Sequence, residues 1–256
     1  MADRRLGQPL LAPAARPWAF ALMACCGILV AVLGVLFAHQ TRPDPFDRAV
    51  DSPIISGFSG HQGLSLWLAG PGSTIPATVL CAAVVLGCLL TRRTKGAVLA
   101  ALALPIAVGL DDGVLKHLVH RTYLGQLTYP SGHTTAIVAI GASAAVLFIG
   151  PQRPARAAAL RLAIPAIGCL LAVAVAVGVI GLQWHYFTDT VAGAAVGIGT
   201  VCGIALGLDL AFAYIRRTST GTARTPDMPS GGPGCPAPPL ASGSESGQHG
   251  DELRPH

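Results

Sequence analysis

Residues 18–38 read WAFALMACCGILVAVLGVLFA, an unbroken run without a single Asp, Glu, Lys or Arg. A helix rises about 1.5 Å per residue, so this run covers about 30 Å, the thickness of a bilayer's hydrocarbon core. It also exceeds the roughly 7 to 15 residues of a signal-peptide core and reads as a retained first span. Further charge-free stretches occupy residues 52–91, 96–110, 122–152, 162–188 and 190–208. Across the 256 residues, 52% are hydrophobic and 11% charged, against about 25% charged in a soluble domain. That balance excludes a cytosolic globule and predicts an all-α polytopic membrane protein.

The apolar stretches predict a bundle of six transmembrane helices at roughly 18–38, 73–91, 96–116, 133–150, 162–182 and 189–212. Residues 52–72 are punctuated by Pro53, Gly57, Gly60, Gly63, Gly70, Pro71 and Gly72, and read as a loop with a short interfacial helix. Residues 1–17 form a cytoplasmic N-terminal segment and 18–215 the membrane domain. Residues 216–256 form a tail that holds seven Pro, seven Gly and five Ser from Thr218 onward, too little apolar surface to offset its ordering entropy. Six of the seven cysteines, Cys25, Cys26, Cys81, Cys88, Cys169 and Cys202, lie inside apolar runs without CxxC spacing and read as small apolar packers.

Orientation follows from the basic residues between spans. Arg4, Arg5 and Arg16 precede the first, Arg92, Arg93 and Lys95 separate the second and third, Arg153, Arg156 and Arg161 the fourth and fifth, and Arg216 and Arg217 follow the sixth. Both termini are therefore expected in the cytoplasm, with segments 39–63, 111–133 and 183–189 facing outward. In 39–63, Arg42 and Arg48 are set against Asp44, Asp47 and Asp51. The net charge of +5 is spread between apolar stretches instead of along one face, which speaks against nucleic acid as a partner.

Three outward features carry candidate chemistry. Residues 96–110 cover only about 22 Å, so their helix must continue through Asp111, Asp112 and Lys116, ionisable groups at a depth where function is the default expectation. Asp112 and Lys116 are four apart and can also simply neutralise one another. Tyr129-Pro130-Ser131-Gly132-His133 precedes an apolar helix, with Ser131 as N-cap and Gly132 admitting a ligand to the helix amides; a capped helix start after a proline turn explains the same residues. In Trp184-His185-Tyr186-Phe187-Thr188-Asp189, a helix would place Asp189 against His185 Nδ1–H and leave Nε2 free.

Lys116 to Arg121, then Pro130-Ser131-Gly132-His133, then His185-xxx-Asp189 with Ala192-Gly193 resemble the type 2 phosphatidic acid phosphatase family of integral-membrane lipid phosphatases. The resemblance spans residues 18–212. It implies a phosphatase that needs no cofactor or metal and works through a phosphohistidine; the basic residues between spans put its active site at the extracytoplasmic face of a plasma membrane, and the Ala-, Gly- and Arg-rich composition suggests a bacterial one. It further implies His185 as nucleophile, Asp189 as its orienting carboxylate, His133 as general acid and base, and Lys116, Arg121, Ser131 and Gly132 around the phosphate. Partners would be a lipid phosphate and the bilayer. The chain departs from the family pattern twice. Tyr123 stands where the first motif has an arginine seven residues after the lysine, and Gly178 and Val179 stand where the third has Ser-Arg.

Two other classes compete. His133, His185 and Asp189 match a two-histidine, one-carboxylate metal site, although Lys116 and Arg121 beside a dication would be costly. A non-catalytic lipid-phosphate binder or transporter would string ionisable residues along a pathway, whereas here they gather at one face apart from Asp209.

Overall fold

The computed structural model describes residues 9–149 and 158–221. Its helices are α1 Arg16–Leu36, α2 Pro45–Phe58, α3 Gln62–Ala69, α4 Thr74–Leu90, α5 Thr94–Leu110, α6 Lys116–Val119, α7 Gly132–Ile149, α8 Ala158–Gly181 and α9 Phe187–Gly221. A short antiparallel hairpin, β1 Thr122–Tyr123 and β2 Gln126–Leu127, pairs Thr122 with Leu127 and Tyr123 with Gln126. Leu124 and Gly125 turn it at φ of 49° and 82°, the left-handed pair that matches strand twist.

Each expected span meets a helix, but not all meet the length of a span. Pro13–Leu36, Thr94–Val119, Ala159–Gly181 and Phe187–Ile215 are each long and apolar enough to cross a membrane. Gln62–Gly72 and Thr74–Leu90 qualify together as a pair bent by 41°, while α7 is apolar but shorter. Among the described residues the count is therefore four, or five with the bent pair, where six were expected. Residues 52–72, expected as a loop with one short helix, hold that short helix as α3 but also the end of α2, so they are more helical than expected. Asp44 starts α2 by accepting the N–H groups of Phe46 and Asp47, which outweighs the Pro and Gly punctuation that follows.

Small residues set the helix spacing. A Cβ on Gly141 of α7 would lie 3.4 Å from the Cα of Gly168 on α8, and the reverse holds equally. Gly199 of α9 meets Cys26 of α1 in the same way at 3.3 Å. At the end of the bundle opposite the hairpin, Asp209 accepts the backbone N–H groups of Leu10 at 2.8 Å and Leu11 at 3.0 Å, with Arg16 Nη2 3.7 Å away. Leu10 thereby joins a core cluster with Cys88, Leu99, Leu147 and Ala205. The acid that stood apart in the sequence thus ties residues 10 and 11 to α9. Residues 218–221, expected to be disordered, continue α9; the rest of the tail lies outside the described residues, as do residues 1–8.

Candidate active site

Helices α5 and α6 are joined by a π-turn, Asp111–Leu115, which keeps one continuous apolar rod while re-aiming its acidic residues. Lys116, just after it, donates to Asp112 Oδ1 at 2.6 Å and lies 3.6 Å from Asp111 Oδ1. Asp111 is fully buried, and its other oxygen accepts from Thr135 Oγ1 of α7 at 2.6 Å. The lysine head is thus fixed beside the start of α7, where a Cβ on Gly132 would lie 3.7 Å from its Nζ.

His133, the second residue of α7, packs against Trp184 with ring centroids 5.5 Å apart and faces His185 at 6.3 Å. His185 is buried, and its Nδ1 lies 2.9 Å from the carbonyl oxygen of Thr128. A carbonyl can only accept, so Nδ1 carries the proton and Nε2 keeps its lone pair. Burial pushes the imidazole down to about 3, aided by the charges of Lys116 and His133 and opposed by the Thr128 hydrogen bond. His185 is therefore neutral at physiological pH.

These groups head a cavity of about 920 Å³. Its polar end is lined by Asp112, Lys116, Gly132, His133, Gln183 and His185; its body runs between α4 and α5 along residues such as Ala77, Val85, Leu89, Leu104 and Val108. From Thr74 to Leu89 this wall is about 22 Å long at 1.5 Å per residue.

The family model described as the PAP2 superfamily matches residues 17–212. The chain belongs to that superfamily. A solved structure described as the first transmembrane PAP2 type phosphatidylglycerolphosphate phosphatase from Bacillus subtilis shares the fold at a TM-score of 0.53 and 16% identity, covering 80% of this chain and 98% of that one. No curated protein sequence matches the chain.

Set against this membership, three expected contacts fall elsewhere. Asp189 does not hold His185. Helix α9 begins only at Phe187, so the i, i+4 geometry assumed for the pair does not exist. The carboxylate of Asp189 instead accepts from Arg121 Nη1 at 2.7 Å and turns back onto the N–H of Tyr186 at 3.1 Å. Arg121 does not line the cavity: it is fully buried, bonded also to Asp47 and to Thr188 Oγ1, and stacked between the rings of Phe37 and Tyr186 at 4.3 Å each. Ser131 is fully buried too; its N–H donates to the Asp189 carbonyl at 3.0 Å and its hydroxyl takes a bond from Thr134 Oγ1 at 3.2 Å. It shapes the turn into α7 and presents nothing to the cavity.

The same placement dissolves the two-histidine, one-carboxylate metal triad, because its carboxylate is turned to Arg121; among the described residues no group of three or more His, Cys, Asp or Glu side chains is arranged to hold a metal. Of the two motif departures, Tyr123 does line the cavity, its hydroxyl 3.5 Å from Gln183 Oε1. Val179 does not; it is buried with Ala69, Ile137 and Val175. A Cβ on neighbouring Gly178 would stand 2.6 Å from the backbone N of Ala69, so α3 occupies the space beside this turn of α8.

Sequence reasoning missed Asp47 and Asp51, taken only as counter-charges to Arg42 and Arg48. Both are buried and four residues apart on α2, a spacing that was readable and that puts them on one face. Asp47 accepts from the Thr188 N–H at 2.9 Å and Asp51 from the Phe187 N–H at 3.2 Å, so the two carboxylates cap α9. Burial, with Asp47 alongside, pushes the Asp51 carboxyl up to about 7. Thr128, which supplies the carbonyl for His185, carried no side-chain signal at all.

Proposed function

We propose that the protein is a membrane lipid phosphatase that hydrolyses a phosphate monoester or diphosphate of a lipid through a phosphohistidine on His185. One observation carries this reading: His185, neutral and with Nδ1 committed to Thr128, shares the polar end of a long apolar cavity with His133, Lys116 and the start of α7. The apolar wall between α4 and α5 suits a hydrocarbon chain, and the substrate class is a polyprenyl phosphate or diphosphate, a phosphatidylglycerophosphate or a phosphatidate. The membrane domain has six spans, with α4 and α7 completing the set. Both termini are cytoplasmic and the cavity opens on the outer side of a bacterial plasma membrane.

In this mechanism Lys116 leaves Asp112 for the phosphoryl oxygens, joined by amides at the start of α7 near Gly132. Nε2 of His185 attacks phosphorus in line and the P–O bond to the lipid breaks, while His133 gives its proton to the departing oxygen. The Thr128 carbonyl steadies the Nδ1–H of the phosphorylated ring. Water then attacks phosphorus, His133 takes its proton back, the N–P bond breaks and inorganic phosphate leaves.

A second reading is a lipid-phosphate-binding or transport protein of the same fold without hydrolysis. It is favoured by the 2.6 Å Asp112–Lys116 pair, since Lys116 is the one Lys or Arg among the described cavity-lining residues. Phosphate release from a panel of detergent-solubilised phospholipids and polyprenyl phosphates, with chelator present, separates the two. Release supports the enzyme; saturable binding of the same lipids without release supports the second reading.

A further inference from the structure

We infer that Asp47 and Arg121 are positioning residues that act through Asp189 to set the relative placement of the two catalytic histidines; the inference rests on the phosphatase reading for what those histidines do. The Arg121 guanidinium is a planar fork whose two terminal nitrogens are both engaged. Nη1 donates to Asp189 Oδ1 and Thr188 Oγ1, both at 2.7 Å, Nη2 donates to Asp47, and aromatic rings cover both faces. Its Nε has no partner but is buried, and Arg121 does not line the cavity, so it offers nothing to a phosphate there.

From this ion pair, short links lead to both histidines. The Asp189 carboxylate holds the N–H of Tyr186, the residue after His185. The Asp189 carbonyl holds the N–H of Ser131, two residues before His133. The carbonyl of Arg121 itself holds the Thr128 N–H at 3.0 Å, and the Thr128 carbonyl in turn holds His185 Nδ1. The backbone on either side of the 6.3 Å gap between the rings is thus referred to one arginine and one aspartate. Asp47 completes the clasp from α2, accepting from Arg121, from the Thr188 N–H and from Thr188 Oγ1 at 3.0 Å. Asp47 itself does not line the cavity. A shift of about 1 Å in reacting groups lowers rate by about 100-fold without any loss of substrate contact, so a clasp of this kind affects turnover and not binding.

The test uses the full-length protein in detergent with Asp47→Asn, Arg121→Lys and Thr188→Val. Three quantities are read: kcat and KM for a lipid phosphate that the wild type hydrolyses, inhibition by inorganic phosphate, and the ring ¹⁵N resonances of His185. Asp47→Asn keeps the acceptor for the Thr188 N–H but removes the charge. Its kcat should fall about 10- to 100-fold, with KM and phosphate inhibition within about twofold of wild type and the His185 ring signals displaced. Arg121→Lys should behave alike, because an ammonium cannot span both carboxylates. Should either protein fail to fold, Thr188→Val, which removes only the hydroxyl shared by Asp47 and Arg121, should show the same pattern at about fivefold.

A tenfold weakening of phosphate inhibition in Arg121→Lys with kcat intact would make Arg121 a phosphate ligand and overturn the proposal. So would unchanged kcat and unchanged His185 signals in Asp47→Asn or Thr188→Val. If the wild type hydrolyses no lipid, the phosphatase reading fails on its own. The positioning role is then judged by the His185 ring alone: displaced signals uphold it and unmoved signals end it.

Discussion

Replacing Gly132 with alanine separates the needs of the fold from those of the phosphate. An added Cβ would lie 3.7 Å from both Lys116 Nζ and Asp112 Oδ1, ordinary van der Waals distances, and Gly132 has no left-handed φ to defend. At the start of α7 the methyl should leave stability unchanged or raise it by about 0.4 to 1 kcal/mol. A phosphoryl oxygen bonded to both the α7 amides and Lys116 needs to be within about 3 Å of each donor, which is the space the methyl enters. Displacing that oxygen by about 1 Å should lower kcat/KM about 100-fold, or about 2.7 kcal/mol of transition-state stabilisation. Phosphate release and a thermal midpoint measured on the same detergent preparation read the two effects separately. Gly193→Ala provides the contrast: its Cβ would stand 2.5 Å from the Ser131 carbonyl oxygen, so the protein should lose stability. If Gly132→Ala kept kcat/KM within threefold of wild type, the phosphate would not lie between α7 and Lys116, and the assignment of both would be wrong.

Further expectations concern individual residues. Val179→Arg, which puts an arginine six residues before His185 as in the motif the sequence resembles, should lower the thermal midpoint and give no gain in phosphate release, because the guanidinium would enter the apolar cluster of Ala69, Ile137 and Val175 at a cost of several kcal/mol; enhanced release would show that the site reaches this turn of α8. The His185 ring, held at about 3 by burial, should remain neutral with Nδ1 protonated from pH 8 down to pH 5 in ¹⁵N spectra assigned with His185→Gln. A midpoint near 6.5 would contradict its burial, and a neutral ring protonated at Nε2 would contradict its tautomer. Because the folded value lies below the unfolded one, His185 contributes stability above pH 6.5 that declines as pH falls toward 3, whereas Asp51, raised to about 7, contributes in the opposite sense over pH 4 to 7. Single cysteines at Arg48 and Leu124 should react with impermeant thiol reagents on intact cells while one at Thr94 should not; the reverse pattern would invert the orientation. Asp209→Ala should lower stability by about 1 to 3 kcal/mol, read as a lower thermal midpoint, since the Leu10 and Leu11 N–H groups lose their acceptor.

What could be read from the residues was governed by range. The apolar runs announce their helices because a span is a local property of about 20 residues, and the extension of the third through Asp111, Asp112 and Lys116 follows from length alone. Lys116, Gly132, His133 and His185 could be grouped because they fall at the ends of such runs on one side. The partners of Asp189 and Arg121 could not be read, because they depend on contacts between distant segments. Asp47 lies 74 residues from Arg121, in a segment whose Pro and Gly content hid a helix. The turn at Gln183, with φ of 59°, delays α9 to Phe187, so a spacing that suggested His185 against Asp189 instead sends the carboxylate to an arginine. Two cations were counted for a phosphate, and the fold commits one of them to holding the site together.

The most direct test of the central claim is chemical trapping of the intermediate. Purified protein, mixed with a ³²P-labelled lipid phosphate in the presence of chelator and quenched in alkali, should carry label with the acid lability of a phosphohistidine. The label should accumulate in His133→Ala, which slows hydrolysis of the N–P bond, and vanish in His185→Gln. Phosphate release without any trapped label in His133→Ala, or label that persists in His185→Gln, would contradict the account.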